Sequence, residues 1–351
     1  MLTMFKTMKD WGNIMNRNGI THSNHYVPQF YLKNWSLDGK TVYTYRLLVS
    51  NAKVPYWQKE SIKNVAAWND FYTRRIDKQE IDDFEKWFDR EFETPTKCIF
   101  TKLLKGGALD RDESIVLSRF VAAQYLRTPA RLNDLLAYGR SVLPNLIQST
   151  LMEVNNKMRS GNYNNRLQTI SEEENILPMR VLLDKENSVV KVNSIVGKGL
   201  YLYYLKHLLT KTLKVLEYHQ WWVLQAAEGV VFPTSDDPVI CLNYRNINDY
   251  DFKGGWNRKN GNIIMPISPK LLLLTQIGCK QPYDHLDNSL YWSELFRKMI
   301  IQHAHRYVFA VKPQKGMLAI NARIVNNSLY ESEKNTMSGW HEEQMKAEEG
   351  L

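Results

Sequence analysis

The sequence predicts an α+β fold: a mixed sheet from N- and C-terminal strands, packed against a central helical region. Two patterns carry this. Near both ends, β-branched and aromatic residues cluster with period two, as in Thr41-Val-Tyr-Thr-Tyr-Arg-Leu-Leu-Val49 and Asn262-Ile-Ile-Met-Pro266. Between them, from about residue 78 to residue 220, the apolar period is mostly that of a helix. Strands at both ends with helices between suit an α+β sheet closed across the chain rather than a repeating βαβ unit.

The elements follow in order. Residues 1–20 form a leader. Thr21–Trp35 is dense in aromatics, and these with Pro28 argue for an extended or turn conformation. Leu37-Asp38-Gly39-Lys40 is a turn before the first strand, and Asp70–Thr73 reads as a second short strand. Ile81, Phe84, Phe88, Phe92, Ile99 and Leu103 recur at helical spacing until Gly106-Gly107. Asp110 and Asp112 open the next helix, with Pro129 marking a kink or break and Gly139 a stop. Residues 140–220 read as mostly helical, with a loop over Met158–Thr169 and an ambiguous Asn187–Ser194. Strands are expected at Trp221–Gln225, Gly229–Pro233, Pro238–Leu242, Asn262–Pro266, Leu271–Gln276 and Arg306–Val311. A helix over Asn288–Ala304 precedes the last of them. One domain is expected over residues 21–335, with an acidic tail over 336–351.

The chain has 351 residues, 44% hydrophobic and 12% aromatic, enough for one large core. Its formal net charge is +9, and the excess is uneven: residues 1–64 hold nine Lys and Arg against three acids. Such a balance favours acidic partners, namely nucleic acid or a phosphate-containing ligand. Cys98, Cys241 and Cys279 are odd in number and widely spaced, which argues against a disulfide framework and a thiolate zinc knuckle. The N-terminus lacks the apolar core of a secretory signal, and no run of 18 apolar residues exists, so a cytoplasmic protein without a membrane span is expected. P-loop, dinucleotide-binding, zincin and nucleophile-elbow patterns are absent.

Polar residues inside apolar segments mark the candidate site. Ser235, Asp236 and Asp237 sit in a sharp turn between apolar runs. There a carboxylate either bonds nearby backbone amides or is aimed into a cleft to hold Mg²⁺ or Mn²⁺. Gln124, Arg127 and Arg131 share one helix face, and an arginine among apolar residues needs a carboxylate or a phosphate. Glu91 beside Phe88 and Phe92 is the acid expected to turn inward, with Glu93 left open. His25 and Gln29 stand among large aromatics. A zinc pair from His22 and His25 lacks further ligands at motif spacing, and His303 and His305 read as structural. Lys253, Trp256, Arg258 and Lys259 form a basic, glycine-containing loop suited to a nucleic-acid backbone, the indole stacking on a base.

These motifs resemble those of an uncharacterised bacterial family, domain of unknown function 4238. The resemblance rests on His25-Tyr-Val-Pro-Gln-Phe-Tyr-Leu32, Asp70-Phe-Tyr72, a helix glutamate assigned to Glu91, Gln124-Tyr-Leu-Arg-Thr-Pro129, Thr234-Ser-Asp-Asp-Pro-Val239 and Pro266-Ile-Ser-Pro269, in that order. Trp68 departs from it where an acid is common, and an asparagine of the last helix has no counterpart. The resemblance implies a single domain and a common pocket for His25, Gln29, Gln124, Arg127, Ser235 and Asp236, without an agreed activity.

The function expected is that of a metal-dependent phosphodiesterase or nuclease, in the manner of an antiphage or toxin effector. Asp236 and Glu91, with Asp237, would hold Mg²⁺ or Mn²⁺. His25 would act as base or ligand, and Arg127 would stabilise phosphate charge. Two alternatives stand beside it: a non-enzymatic module binding nucleic acid or an anionic ligand, and a buried network fixing the sheet to the helices.

Overall fold

The C-terminal strands are apolar on both faces because both faces are covered. Cys241, Ile263, Met265 and Leu273 belong to one buried cluster; Ile240, Leu242, Ile264, Leu272 and Leu274 belong to another. Successive side chains on a strand point to opposite faces, so the two clusters interleave in sequence. In the computed structural model, which describes residues 20–76, 79–159, 179–184, 189–212, 219–278 and 286–349, these strands make a five-stranded antiparallel sheet. Its spatial order is Trp222–Gln225, Leu271–Gln276, Asn262–Pro266, Ile240–Asn246, Asp249–Asp251. Helix Leu290–His303 covers one face through Leu295, Phe296, Met299 and Ile300. The other face meets helices Thr94–Leu104 and Arg111–Leu126 and the aromatic N-terminal segment.

N- and C-terminal strands do join, as the sequence predicts for this α+β fold. Thr234–Ser235, Tyr307–Ala310, Thr41–Arg46 and Trp57–Ser61 form a four-stranded antiparallel sheet in that spatial order. The segment after His25 fastens the two sheets to each other. Pro28, extended at φ −60° and ψ 142°, caps a one-turn helix, Gln29–Leu32. Tyr31, fully buried, donates its hydroxyl hydrogen to Pro266 O at 2.6 Å and lies 2.7 Å from Thr234 Oγ1. Trp35 Nε1 donates to Phe232 O at 2.9 Å. Burying each such ring contributes roughly 1.5–3 kcal/mol, and its polar tip is satisfied as burial requires.

Several expected elements differ. Gly139 does not end a helix: Pro129–Arg159 runs through it and through Pro144. A Cβ there would meet Val196 Cγ1 at 3.0 Å and Leu200 Cδ2 at 3.3 Å, so the glycine permits close approach of helix Lys198–His207. Pro129 is a true break, since Arg111–Leu126 ends before it. Asp70 is not in a strand; it takes the left-handed region at φ 55°, with its amide bonded to His22 O and its carboxylate 2.7 Å from His22 Nδ1. Ile81 lies in a hairpin strand, Gln79–Ile81, ahead of helix Asp83–Phe88. Gly229–Phe232 is irregular, and the strand falls on Thr234–Ser235.

The span 140–220 also holds a hairpin, Met179–Asp184 with Val189–Ser194. Most of the expected loop over 158–169 and the leader lie outside the described residues, as does Cys279. The boundary expected at 336 falls inside one helix, Asn327–Glu349, which docks through Trp340, His341 and Met345. No helix among the described residues is long and apolar enough to cross a membrane.

Candidate functional site

Segments far apart in sequence meet at one cavity of about 620 Å³. Tyr26 comes from the N-terminal segment, Trp68 and Asn69 precede Asp70, Pro129 opens a helix, and Asp236 follows a strand. His305, Arg306 and Tyr307 lead into the neighbouring strand. Helix Asn327–Glu349 supplies the remaining wall, including Tyr330, Glu333 and Lys334.

Asp236 shows how the cavity is built. Ser235 pairs with Val308, and Asp236 N donates to Tyr307 O at 3.1 Å. Its carboxylate therefore faces the chain just before that strand. Oδ1 accepts from His305 N at 2.9 Å and Oδ2 from Arg306 N at 2.7 Å. Burial pushes Asp236 up to about 7 despite those amide bonds, and the charge of Asp237 adds to the rise. The carboxylate is spent on backbone, and the result is a fixed His305-Arg306 corner.

His305 was expected to be structural, yet its ring makes no hydrogen bond among the described residues while it lines the cavity. Burial and the adjacent Arg306 hold its pKa below the usual histidine value, so the imidazole is neutral near pH 7. Nothing local in His303-Ala-His-Arg306 separates it from an ordinary strand-end histidine. Only the pairing with the strand ahead of Asp236 does. The hydroxyls of Tyr26 and Tyr307, on the same wall, also lack a hydrogen-bond partner among the described residues.

Asp237 is tied more tightly. Oδ1 accepts from Thr128 Oγ1 at 3.1 Å, Oδ2 from Arg131 NH2 at 2.8 Å, and the amide donates to Ser235 Oγ at 3.2 Å. His303 Nδ1 lies 3.0 Å from its carbonyl oxygen. Arg131 is thereby held as the counter-ion of a buried acid, with its guanidinium also over the Tyr125 ring, rather than free for a nucleic-acid backbone.

Gln124 and Arg127 are buried side by side. Arg127 donates from Nε and NH2 to Gln124 Oε1 at 3.2 and 3.1 Å, and Gln124 Nε2 donates to Tyr26 O at 2.9 Å. The acid opposite Arg127 is Glu93, at 2.7 Å, and not Glu91. Glu91 is a surface residue beside Arg90 and Arg119. A π-turn over Asp89–Glu93 shifts the inward face of this helix, which the regular spacing of Phe84, Phe88 and Phe92 conceals. Glu85, also near Arg127, is pushed up to about 7 by burial.

The remaining candidates fall elsewhere. His25 lines no cavity among those with motif residues; its Nε2 is buried without a partner, and burial lowers its pKa. Gln29 is half-buried at the start of its short helix. In the basic loop Lys253, Arg258 and Lys259 are exposed. Trp256 instead packs on the core against Tyr125, at 5.2 Å between ring centres, which corrects its reading as a free stacking platform.

Glu91, Asp236 and Asp237 do not converge as a three-ligand metal group. Among the described residues one such group exists, Glu80, His341 and Glu342. Arg75 NH2 already contacts both carboxylates there, at 3.2 and 3.3 Å, and Lys198 Nζ lies 2.7 Å from His341 Nδ1. The Arg75 guanidinium therefore stands where an ion would bridge the two carboxylates, and Lys198 engages the opposite nitrogen of the imidazole from the one facing Glu80.

The His-Tyr-Val-Pro-Gln-Phe-Tyr-Leu, Gln-x-x-Arg-Thr-Pro and Ser-Asp-Asp-Pro segments thus share one framework, and a family model described as "Protein of unknown function (DUF4238)" matches residues 23–314. The chain belongs to this family. No curated protein and no solved structure matches it. The matched DUF4238 segment supplies Tyr26, Asp236 and the His305–Tyr307 corner of the cavity, whereas helix Asn327–Glu349 lies beyond it.

Proposed function

We propose that this chain binds a small phosphate-containing ligand with a planar ring, of the nucleotide class, in the 620 Å³ cavity. The observation that carries this reading is a set of unspent polar tips. The His305 ring and the Tyr26 and Tyr307 hydroxyls line the cavity without a hydrogen-bond partner among the described residues. These tips reach solvent at the cavity wall, so water serves them in the free protein and a ligand with matching polar groups can take its place. Tyr26, Trp68, Tyr307 and Tyr330 offer ring contacts, and Arg306 offers a guanidinium fork for an anion. Asp236, Gln124, Arg127 and Asp237 hold this wall in place, a positioning role. The test is calorimetric titration of nucleoside monophosphates, cyclic dinucleotides and inorganic phosphate into wild type and His305→Gln. A ligand that binds wild type at about 1 mM or better and loses affinity in the variant, at unchanged melting temperature, supports the reading. No binding by any of them overturns it.

A second reading, phosphodiesterase or nuclease chemistry, is favoured by one observation: a neutral, unbonded imidazole suits a general base, and His305 takes the place expected for His25. If Mg²⁺ or Mn²⁺ takes part, Asp236 lines the same cavity as this imidazole, and its oxygens would have to be shared with the His305 and Arg306 amides. Titration of Mn²⁺ into wild type and Asp236→Asn tests that part. Heat that is absent in wild type removes it.

A further inference from the structure

The guanidinium that faces the cavity is already gripped. Arg306 NH2 donates to Glu333 Oε1 at 2.5 Å and Nε to Oε2 at 2.9 Å, a two-point fork. A phosphate offers the same paired oxygens to the same fork. Glu333 comes from helix Asn327–Glu349, which lies beyond the family-matched segment, and both it and Arg306 line the cavity. The carboxylate is also partly open to water, with 35% of its side chain exposed against 27% for Arg306. An ion pair at that exposure contributes little net stability, so a competing anion can displace it at small cost. The backbone around it is fixed at both ends. Upstream, Ile324 N donates to Leu47 O at 2.7 Å and Asn326 N to Val49 O at 3.0 Å. Downstream, Trp340, His341 and Met345 are buried. Release of Arg306 therefore needs only a rotamer change of Glu333, without movement of the helix.

Resting on the nucleotide-class reading of the cavity, we propose that Glu333 is an internal competitor for the ligand's anionic group. It occupies Arg306 in the free protein and sets how tightly, and with what charge, a phosphate must present itself. A monoanion gains little by displacing a carboxylate of equal charge, whereas a phosphate dianion gains more, so Glu333 favours terminal phosphates over diesters.

Phenylglyoxal modification of Arg306, followed by mass spectrometry in wild type and Glu333→Gln, reads this directly, with inorganic phosphate as the protecting probe. The proposal expects faster modification in the variant and protection at roughly three- to tenfold lower phosphate concentration. Protection at equal concentrations in both proteins overturns the competitor role and leaves the binding reading intact. No protection in either protein, at any phosphate concentration that leaves the fold intact, overturns both. Circular dichroism of the variant, whose substituted side chain is partly exposed, verifies that the comparison is between folded proteins.

Discussion

Replacing Glu93 by glutamine removes the charge opposite Arg127, a guanidinium only 1% exposed. Breaking a buried pair by neutralising one partner costs roughly 3–5 kcal/mol, because the remaining charge is left desolvated. Two features of the structure put this pair at the low end. Glu93 keeps 16% of its side chain exposed, so water can reach the gap. Glu85 lies near enough to feel both partners, and Glu93 raises its pKa; once that charge is gone, Glu85 ionises more readily and compensates Arg127 in part. The expected loss is about 3 kcal/mol at about pH 7.5, a sizeable share of the 5–15 kcal/mol typical of a domain. Urea unfolding followed by circular dichroism measures it as a lower midpoint at unchanged slope. In the double variant Glu93→Gln with Arg127→Met, no charge is left buried and the apolar contact with the Phe88 ring is kept. Most of the loss is recovered there, apart from about 1 kcal/mol for the Gln124 oxygen that loses its donors. A loss under about 1 kcal/mol in Glu93→Gln, or an equal loss in the double variant, refutes the reasoning.

Asp236→Ala leaves the His305 and Arg306 amides without their acceptor and lowers stability by about 2 kcal/mol, read as a fall in melting temperature; an unchanged value counts against the positioning role. Gly139→Leu forces a side chain into Val196 and Leu200 and costs about 1–3 kcal/mol in denaturant titration, whereas a surface glycine would tolerate it. The Lys198 amine, buried beside His341 and Asp70 with Glu80, Glu348 and Arg75 around it, is lowered to about 7 by burial. The unfolded chain then holds a proton that the folded one releases, so stability rises with pH between about 7 and 10.5. Glu85 and Asp236, both raised to about 7, have largely titrated by the middle of that window. Unfolding at about pH 8 and about pH 9.5 in wild type and Lys198→Met checks it: Cys241 and the buried tyrosines, all raised by burial, act in the opposite direction in both proteins, so the wild type should gain stability relative to the variant, and an equal pH dependence in the two rejects it. Replacing Lys253, Arg258 and Lys259 by alanine changes stability by no more than about 0.5 kcal/mol, since all three are exposed. If nucleic acid binds at this loop, its salt dependence falls by about 3 in log–log slope, and a retained slope removes the loop from the interface.

The sequence by itself determined which segments are buried and where several helices begin. Short apolar, β-branched runs between turn residues specify most of the C-terminal strands, and the capping box of Asp110 with Glu113 starts its helix as Asp110 predicts. Polar types in apolar surroundings, Gln124, Arg127 and Asp236, identified the framework of the cavity because burial forces such groups to find partners. Which partners they find was decided by the tertiary structure. Glu93 rather than Glu91 meets Arg127 because a π-turn changes the phase of the helix, and apolar spacing alone does not reveal it. Asp236 holds amides that lie 69 and 70 residues further along the chain, and this is what brings His305 to the cavity. Gly139 serves a helix crossing rather than a helix end because of residues near position 200. Local sequence encodes the propensity and the hydrophobic face of each element. The pairing of polar groups is set by long-range register, which a single local window does not contain.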